Sequence, residues 1–174
     1  MTLIKKFTFL SILFFILQTS LYSETPHFVD FKYILNQSKA GKQAQVYLKN
    51  KLNNGISNLQ KKEKIIQEEE KKIIKKKKVI SAEEYKKEVK KLRDKVTALQ
   101  KERNNLLQSV SKQRAKAKTE LLKNVNPIIQ EYMNANKIRM VIDKKSILLA
   151  EDSLDLTSKI ITLLNKKITS IKLN

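Results

Sequence analysis

The chain has no cysteine and no tryptophan, and only two glycines and two prolines among its 174 residues. Without cysteine there can be no disulfide and no thiol chemistry, so stability must come from packing and electrostatics. So few glycines and prolines exclude a loop-rich fold and leave room for long helices. Acidic residues are scarce as well, 17 against 37 basic ones, which gives a formal charge of +20. Arg93, Arg103, Arg114 and Arg139 are the only arginines, and every other basic residue is lysine. Such an imbalance favours anionic partners: nucleic acid, anionic lipid head groups or acidic protein chains. Catalytic patterns are missing too. There is no glycine-rich phosphate loop, no metal-spaced His and Cys, and no nucleophile with a histidine base, His27 being the single histidine. Asp143 and Asp155 read as a strand end and a helix cap. The sequence is that of a non-enzyme with no cofactor.

What is present is a heptad pattern over residues 38–136. In its second half Tyr85, Val89, Leu92, Val96, Leu99, Leu106 and Val110 keep alternating steps of four and three, interrupted by Arg103. In its first half Leu52, Ile56, Leu59, Ile66, Ile73 and Ile80 do the same, with Glu63, Glu70 and Lys77 at the missing seam positions. This period puts a narrow apolar seam on each helix, as in a coiled coil. Between the halves, Ser81 and Glu84 have the spacing of a capping box, so one helix ends near Lys78 to Ile80 and the next begins at Ala82. A turn so tight folds the two arms antiparallel, with the tip near 79–83. Facing Ile80 with Tyr85 sets Ile73 against Leu92, Ile66 against Leu99 and Leu59 against Leu106. The same register places Glu63 beside Glu102 and Arg103, so that Glu63 and Arg103 can pair.

The ends differ in character. Residues 1–23 carry a basic start at Lys5 and Lys6 and an apolar run from Phe7 to Leu17, too short to span a bilayer, and read as a cleaved export signal. Phe28 to Tyr33 reads as a strand. Asn36 or Ser38 can cap the first arm, and Gly41 and Gly55 suggest close packing or a bend. Pro127 predicts a kink, followed by a helix to about Asn134 with Asn136 as a left-handed cap. Ile138–Asp143 and Ser146–Ala150 read as a strand–turn–strand hairpin. Asp155 reads as the cap of a last helix, Leu156 to about Ile171. The fold class is therefore mainly α with a small β body: a long helical hairpin, 38–136, projecting from a short-stranded oligomerisation domain of residues 24–37 and 137–174. So small a core is marginal alone and its strands would have open edges, and association of several chains answers both defects.

Val29-Asp30-Phe31, Leu35-Asn36-Gln37-Ser38-Lys39-Ala40-Gly41-Lys42, the charged hairpin, Val141-Ile142-Asp143 and Asp155-Leu156-Thr157 together resemble the Skp/OmpH family of periplasmic chaperones. The resemblance implies a homotrimer, with a small β body and three hairpins enclosing a basic cavity. In it, unfolded outer-membrane proteins would be held without ATP. Anionic lipid or lipopolysaccharide is a further partner it implies, with no residue pattern to match here. From the charge, the client-binding candidates are Lys71, Lys72, Lys75, Lys76, Lys77, Lys78, Lys86, Lys87, Lys90 and Lys91 around the tip. The alternative class is a structural coiled coil that grips nucleic acid or an anionic envelope polymer through the same lysines. The export signal and the lack of stacking aromatics among them argue against nucleic acid.

Overall fold

The computed structural model describes residues 25–173. The signal segment 1–23 and its cleavage after Ser23 lie outside the described residues. In chain order the elements are β1 (His27–Val29), α1 (Phe31–Gln37), α2 (Lys39–Lys76), α3 (Ala82–Ala135), β2 (Val141–Asp143), two 3-10 turns (Lys144–Ser146 and Asp152–Leu154) and α4 (Thr157–Lys167).

α2 and α3 form the antiparallel hairpin. Its register is visible in three ion pairs across the arms: Lys62–Glu102 at 2.6 Å, Glu69–Lys95 at 2.6 Å and Lys76–Glu88 at 3.3 Å. The residues recur every seven positions on each helix, with charges that alternate along an arm and oppose across it. Slipping the arms by one heptad would set Lys62 against Lys95, or Glu69 against Glu102. Exposed pairs contribute little individually, at most about 1 kcal/mol each. Their value lies in the like-charge contacts that a one-heptad slip would incur. Arg103 lies 3.6 Å from Glu63, as the seam register requires, while Glu102 turns to Lys62. Nearer the root, the Lys51 ammonium donates to Gln113 at 2.9 Å and to Ser109 at 3.2 Å.

The capping box at the tip is complete, with the Ser81 hydroxyl accepting from the Glu84 amide and the Glu84 carboxylate accepting from the Ser81 amide, each at 3.2 Å. The preceding helix ends somewhat earlier than its pattern suggests, at Lys76. Ser81→Ala is expected to cost about 1 kcal/mol. Hydrogen exchange should show it as faster opening of the first turn of α3, with the root unchanged.

Both glycines mark close approach, and neither has positive φ. A Cβ on Gly55 would lie 2.5 Å from the Leu106 methyl groups, and one on Gly41 would lie 1.9 Å from the Leu35 carbonyl oxygen. Gly55 is thus where the Leu106 side chain reaches across the seam, and Gly41 is where α1 folds against α2.

The ends depart from the sequence pattern in several places. The strand at Phe28 stops at Val29, because Asp30 caps a helix instead: its carboxylate accepts from the Tyr33 amide at 2.7 Å. Phe31 to Tyr33 therefore belong to α1. The expected hairpin of strands is absent. β2 pairs with β1 in parallel, His27 with Val141, Phe28 with Ile142 and Val29 with Asp143, and the whole helical hairpin is the crossover. The Asp143 carboxylate accepts from the Lys145 amide and starts a 3-10 turn. Residues 147–150 then run unpaired, with Leu148 and Leu149 96% and 90% exposed. Branched side chains marked that stretch as strand-forming, but a strand needs a partner and β2 has taken β1. The other side of Phe28 bridges Asp155, and the Phe28 carbonyl accepts from the Leu156 amide at 2.9 Å.

α3 runs through Pro127 as one helix. Pro127 sits on the exposed side of that turn, while Val125, Ile128 and Ile129 on the other side are buried and hold it to the core. The left-handed residue after the helix is Lys137, φ 55°, not Asn136. α4 ends at Lys167 rather than Ile171, and the chain continues extended from Ile168. Along that tail Ile171 and Leu173, two residues apart, pack on Ala44, Leu48 and Ala117 of the arm roots.

The main core gathers Val29, Ile34, Val125, Ile128, Ile129, Leu156, Ile160 and Leu164. It joins β1, α1, the end of α3 and α4. Polar ties surround it. The Asp30 amide donates to the buried Thr157 hydroxyl at 2.9 Å, and the Lys39 amide donates to the Asn165 side chain at 2.7 Å. Buried Ser38 caps α2 by accepting from Gly41. The body and the arm roots are thus one packed unit, and the distal arms carry only their seam.

Candidate functional site

The tip lysines come from two sequence runs that the turn brings together. Lys71, Lys72, Lys75 and Lys76 lie on the last turns of α2, Lys77 is its C-cap, and Lys78 is in the turn. Lys86, Lys87, Lys90 and Lys91 lie on the first turns of α3. All ten are exposed. Lys76 pairs with Glu88, Lys87 pairs with Glu83 at 3.3 Å, and the Lys77 ammonium stands 5.8 Å from the centre of the Tyr85 ring. The other seven have no carboxylate within ion-pair distance among the described residues. The tip is therefore a cluster of largely unpaired charge, held in solvent by a capped turn. Such a cluster attracts anions over roughly a Debye length, about 8 Å at physiological salt. A shallow hollow lined by Tyr85, Lys86, Val89, Lys90 and Arg93 lies on its α3 side.

The arms between tip and root behave differently. They carry both signs of charge, and cross-arm pairs join Lys62 to Glu102, Glu63 to Arg103 and Glu69 to Lys95. The signal for the pairs is present in the sequence, as Lys62, Glu69 and Lys76 read against Glu88, Lys95 and Glu102. It becomes legible once the charged positions, as well as the apolar ones, are followed at steps of seven.

In the body, Asp155 stands apart. Partial burial pushes its carboxyl upward, but hydrogen bonds from Thr157 and the nearby Lys144 ammonium outweigh that and hold it below its ordinary value of 3.8. The Thr157 amide donates to it at 2.8 Å, and Lys144 lies 3.3 Å away. A carboxyl with a depressed folded pKa adds stability above its unfolded value, and that stability is lost as pH falls through the folded one. Asp155 therefore ties the α4 entry to the turn after β2, and the tie should fail only in acid. Asp155→Asn is expected to lower stability at neutral pH and to flatten the acid-side decline below about pH 4, as urea midpoints measured across that range would show.

Among the described residues there is no group of three or more His, Asp or Glu positioned to hold a metal ion, and no helix is long and apolar enough to cross a membrane. His27, the single histidine, is half-buried in β1, where its Nδ1 has no hydrogen-bond partner.

The fold and the charged arms define a class: a long antiparallel helical hairpin rooted in a small body with one parallel strand pair, built to present an extended charged surface. The model of the OmpH-like outer membrane protein family matches residues 27–164, and the chain belongs to that family. A crystal structure described as a candidate OmpH-like outer membrane chaperone from Caulobacter crescentus CB15 has the same fold. The TM-score is 0.79 at 21% identity, over 87% of this chain and 95% of the other. No curated protein matches the chain.

Proposed function

We propose that the protein is an ATP-independent holdase chaperone of the periplasm that keeps unfolded outer-membrane proteins from aggregating. The observation that carries this reading is the tip: ten exposed lysines, most of them without a paired carboxylate, at the end of long helical arms. A surface of that kind attracts acidic unfolded chains at long range without committing to one sequence. Membership of the OmpH-like family supports a chaperone role, as does the description of the Caulobacter protein. The ten tip lysines are the proposed client contacts, and anionic lipid or lipopolysaccharide would compete for them.

The working form is a homo-oligomer, a trimer by the family resemblance. In support, the parallel pair β1–β2 is short and Leu148 and Leu149 stand in solvent beside it, an apolar surface that association would cover. Several hairpins held side by side would bound a basic cavity.

The test is suppression of aggregation when a urea-denatured outer-membrane β-barrel is diluted into buffer without nucleotide. Suppression at near-equimolar chaperone is expected, weakening as salt rises. If the protein fails to suppress and instead holds nucleic acid more tightly than the barrel at the same salt, the structural coiled-coil reading replaces this one.

A further inference from the structure

A groove of about 850 Å³ opens at the arm root between α1, the first turns of α2 and the facing turns of α3. Its lining includes Leu48, Leu52, Val110 and Leu121, with Val46 more than half exposed at the mouth. Four cations also line it: Lys42 and Lys49 from α2, Arg114 and Lys118 from α3. No lining residue is acidic, and none of the four cations has an ion pair among the described residues. That contrasts with the middle of the arms, where acidic residues stand among the cations and Glu69 and Glu102 pair across with Lys95 and Lys62. Lys42 and Lys49 are seven residues apart, as are Leu107 and Arg114, and Ile56 lies seven beyond Lys49. Positions seven apart share a helix face. The exposed side chains of Ile56 and Leu107 therefore prolong the apolar strip towards the tip.

We propose that this root groove is a binding site for an acidic amphipathic segment of unfolded polypeptide, with its apolar side chains on the floor and its carboxylates against the four cations. Charge complementarity selects this occupant. A second copy of the chain carries +20, and residues 1–23 hold Lys5 and Lys6 and no acid, so neither complements a cationic rim. The volume falls within the roughly 300–1,000 Å³ of sites that bind small ligands, enough for a few side chains and not for a folded domain. The inference rests on the chaperone reading for the natural source of such a segment. It assigns the apolar part of client binding to the root and leaves the tip the long-range attraction.

The probe is a labelled short peptide alternating leucine with aspartate, which in extended form puts apolar groups on one face and carboxylates on the other. Its counterpart carries lysine for aspartate. Binding is measured to the intact protein, to Lys49→Glu/Arg114→Glu, to Val46→Glu, and to Lys159→Glu/Lys166→Glu, a control of equal charge change on α4. Every substituted residue is exposed. The expected result is binding of the acidic peptide alone, weakened about tenfold or more by either root variant and much less by the α4 control, the scale of loss when charges at an interface are reversed. Equal loss in root and α4 variants would overturn the proposal, as would equal binding of the lysine peptide. So would a root variant whose measured size changes while its peptide affinity does not, since the groove would then be an interface between copies. Binding of anionic phospholipid vesicles in place of the peptide would overturn it as well. Aggregation suppression is run alongside. An intact protein that binds the peptide at the root but suppresses nothing keeps the groove and loses the chaperone reading. One that suppresses normally with the root reversed, and shows no root-dependent peptide binding, does the opposite.

Discussion

Ile160→Asp is expected to unfold the body while leaving the distal arms helical. Ile160 is fully buried in the cluster that joins β1, α1, the end of α3 and α4. An aspartate there would lose the buried side chain, worth about 2–5 kcal/mol for truncation to alanine alone. It would also place a carboxylate among Val29, Ile34, Val125 and Leu164, with no cation in the cluster to meet it. The sum rivals the whole stability of a small domain, about 5–15 kcal/mol. Ile142 and Leu163, by contrast, are only partly buried, and a charge at either has a route to water. Limited proteolysis should cut residues 25–38 and 137–173 rapidly in the Ile160 variant, with far-ultraviolet circular dichroism retaining most of its helical signal. Size measurement should show any assembly lost. A variant that keeps its protection and its size would refute the assignment of this cluster as the body's core.

Gly41→Ala has the second largest expected effect, and its sign opposes helix propensity. Alanine in a helix is favoured over glycine by about 1 kcal/mol. At Gly41, however, the added methyl would lie 1.9 Å from the Leu35 carbonyl oxygen, 2.8 Å from its carbonyl carbon and 2.9 Å from the Ser38 hydroxyl. The first two atoms are backbone and cannot swing aside. The third belongs to the cap that starts α2. Relief requires α1 to move off α2, which opens the corner that buries Ile34 and Ser38. Overpacking of this kind costs about 3 kcal/mol, so a net loss of about 2 kcal/mol is expected. The same change at Gly55 meets only the end of the Leu106 side chain, which can rotate. Thermal melts of the two variants should therefore separate clearly, with Gly41→Ala well below the natural protein and Gly55→Ala near it. Equal melting temperatures would mean that the α1–α2 corner yields without cost.

By itself the sequence determined the hairpin. Seam positions such as Leu59, Ile66, Leu92 and Leu99 recur with a helical period, Ser81 and Glu84 mark the turn, and the heptad spacing of Lys62, Glu69 and Lys76 against Glu88, Lys95 and Glu102 contains the register. These are local or periodic signals, and a helix satisfies its backbone hydrogen bonds within itself, so they suffice. The ends were decided by tertiary structure. A strand is completed only by its neighbour, and nothing in Val141-Ile142-Asp143 says that its neighbour is His27–Val29, across the entire hairpin, rather than Ser146–Ala150 a few residues on. Asp30 caps a helix through the Tyr33 amide, and its own amide is held by Thr157, far along the chain. Ile171 and Leu173 left the last helix because Ala44 and Ala117 present a shallow apolar surface where the arms meet. The root groove belongs to the same group. Lys42, Lys49, Arg114 and Lys118 are ordinary lysines and an arginine in the sequence. They frame one apolar strip only because the antiparallel register brings the start of α2 beside the far half of α3.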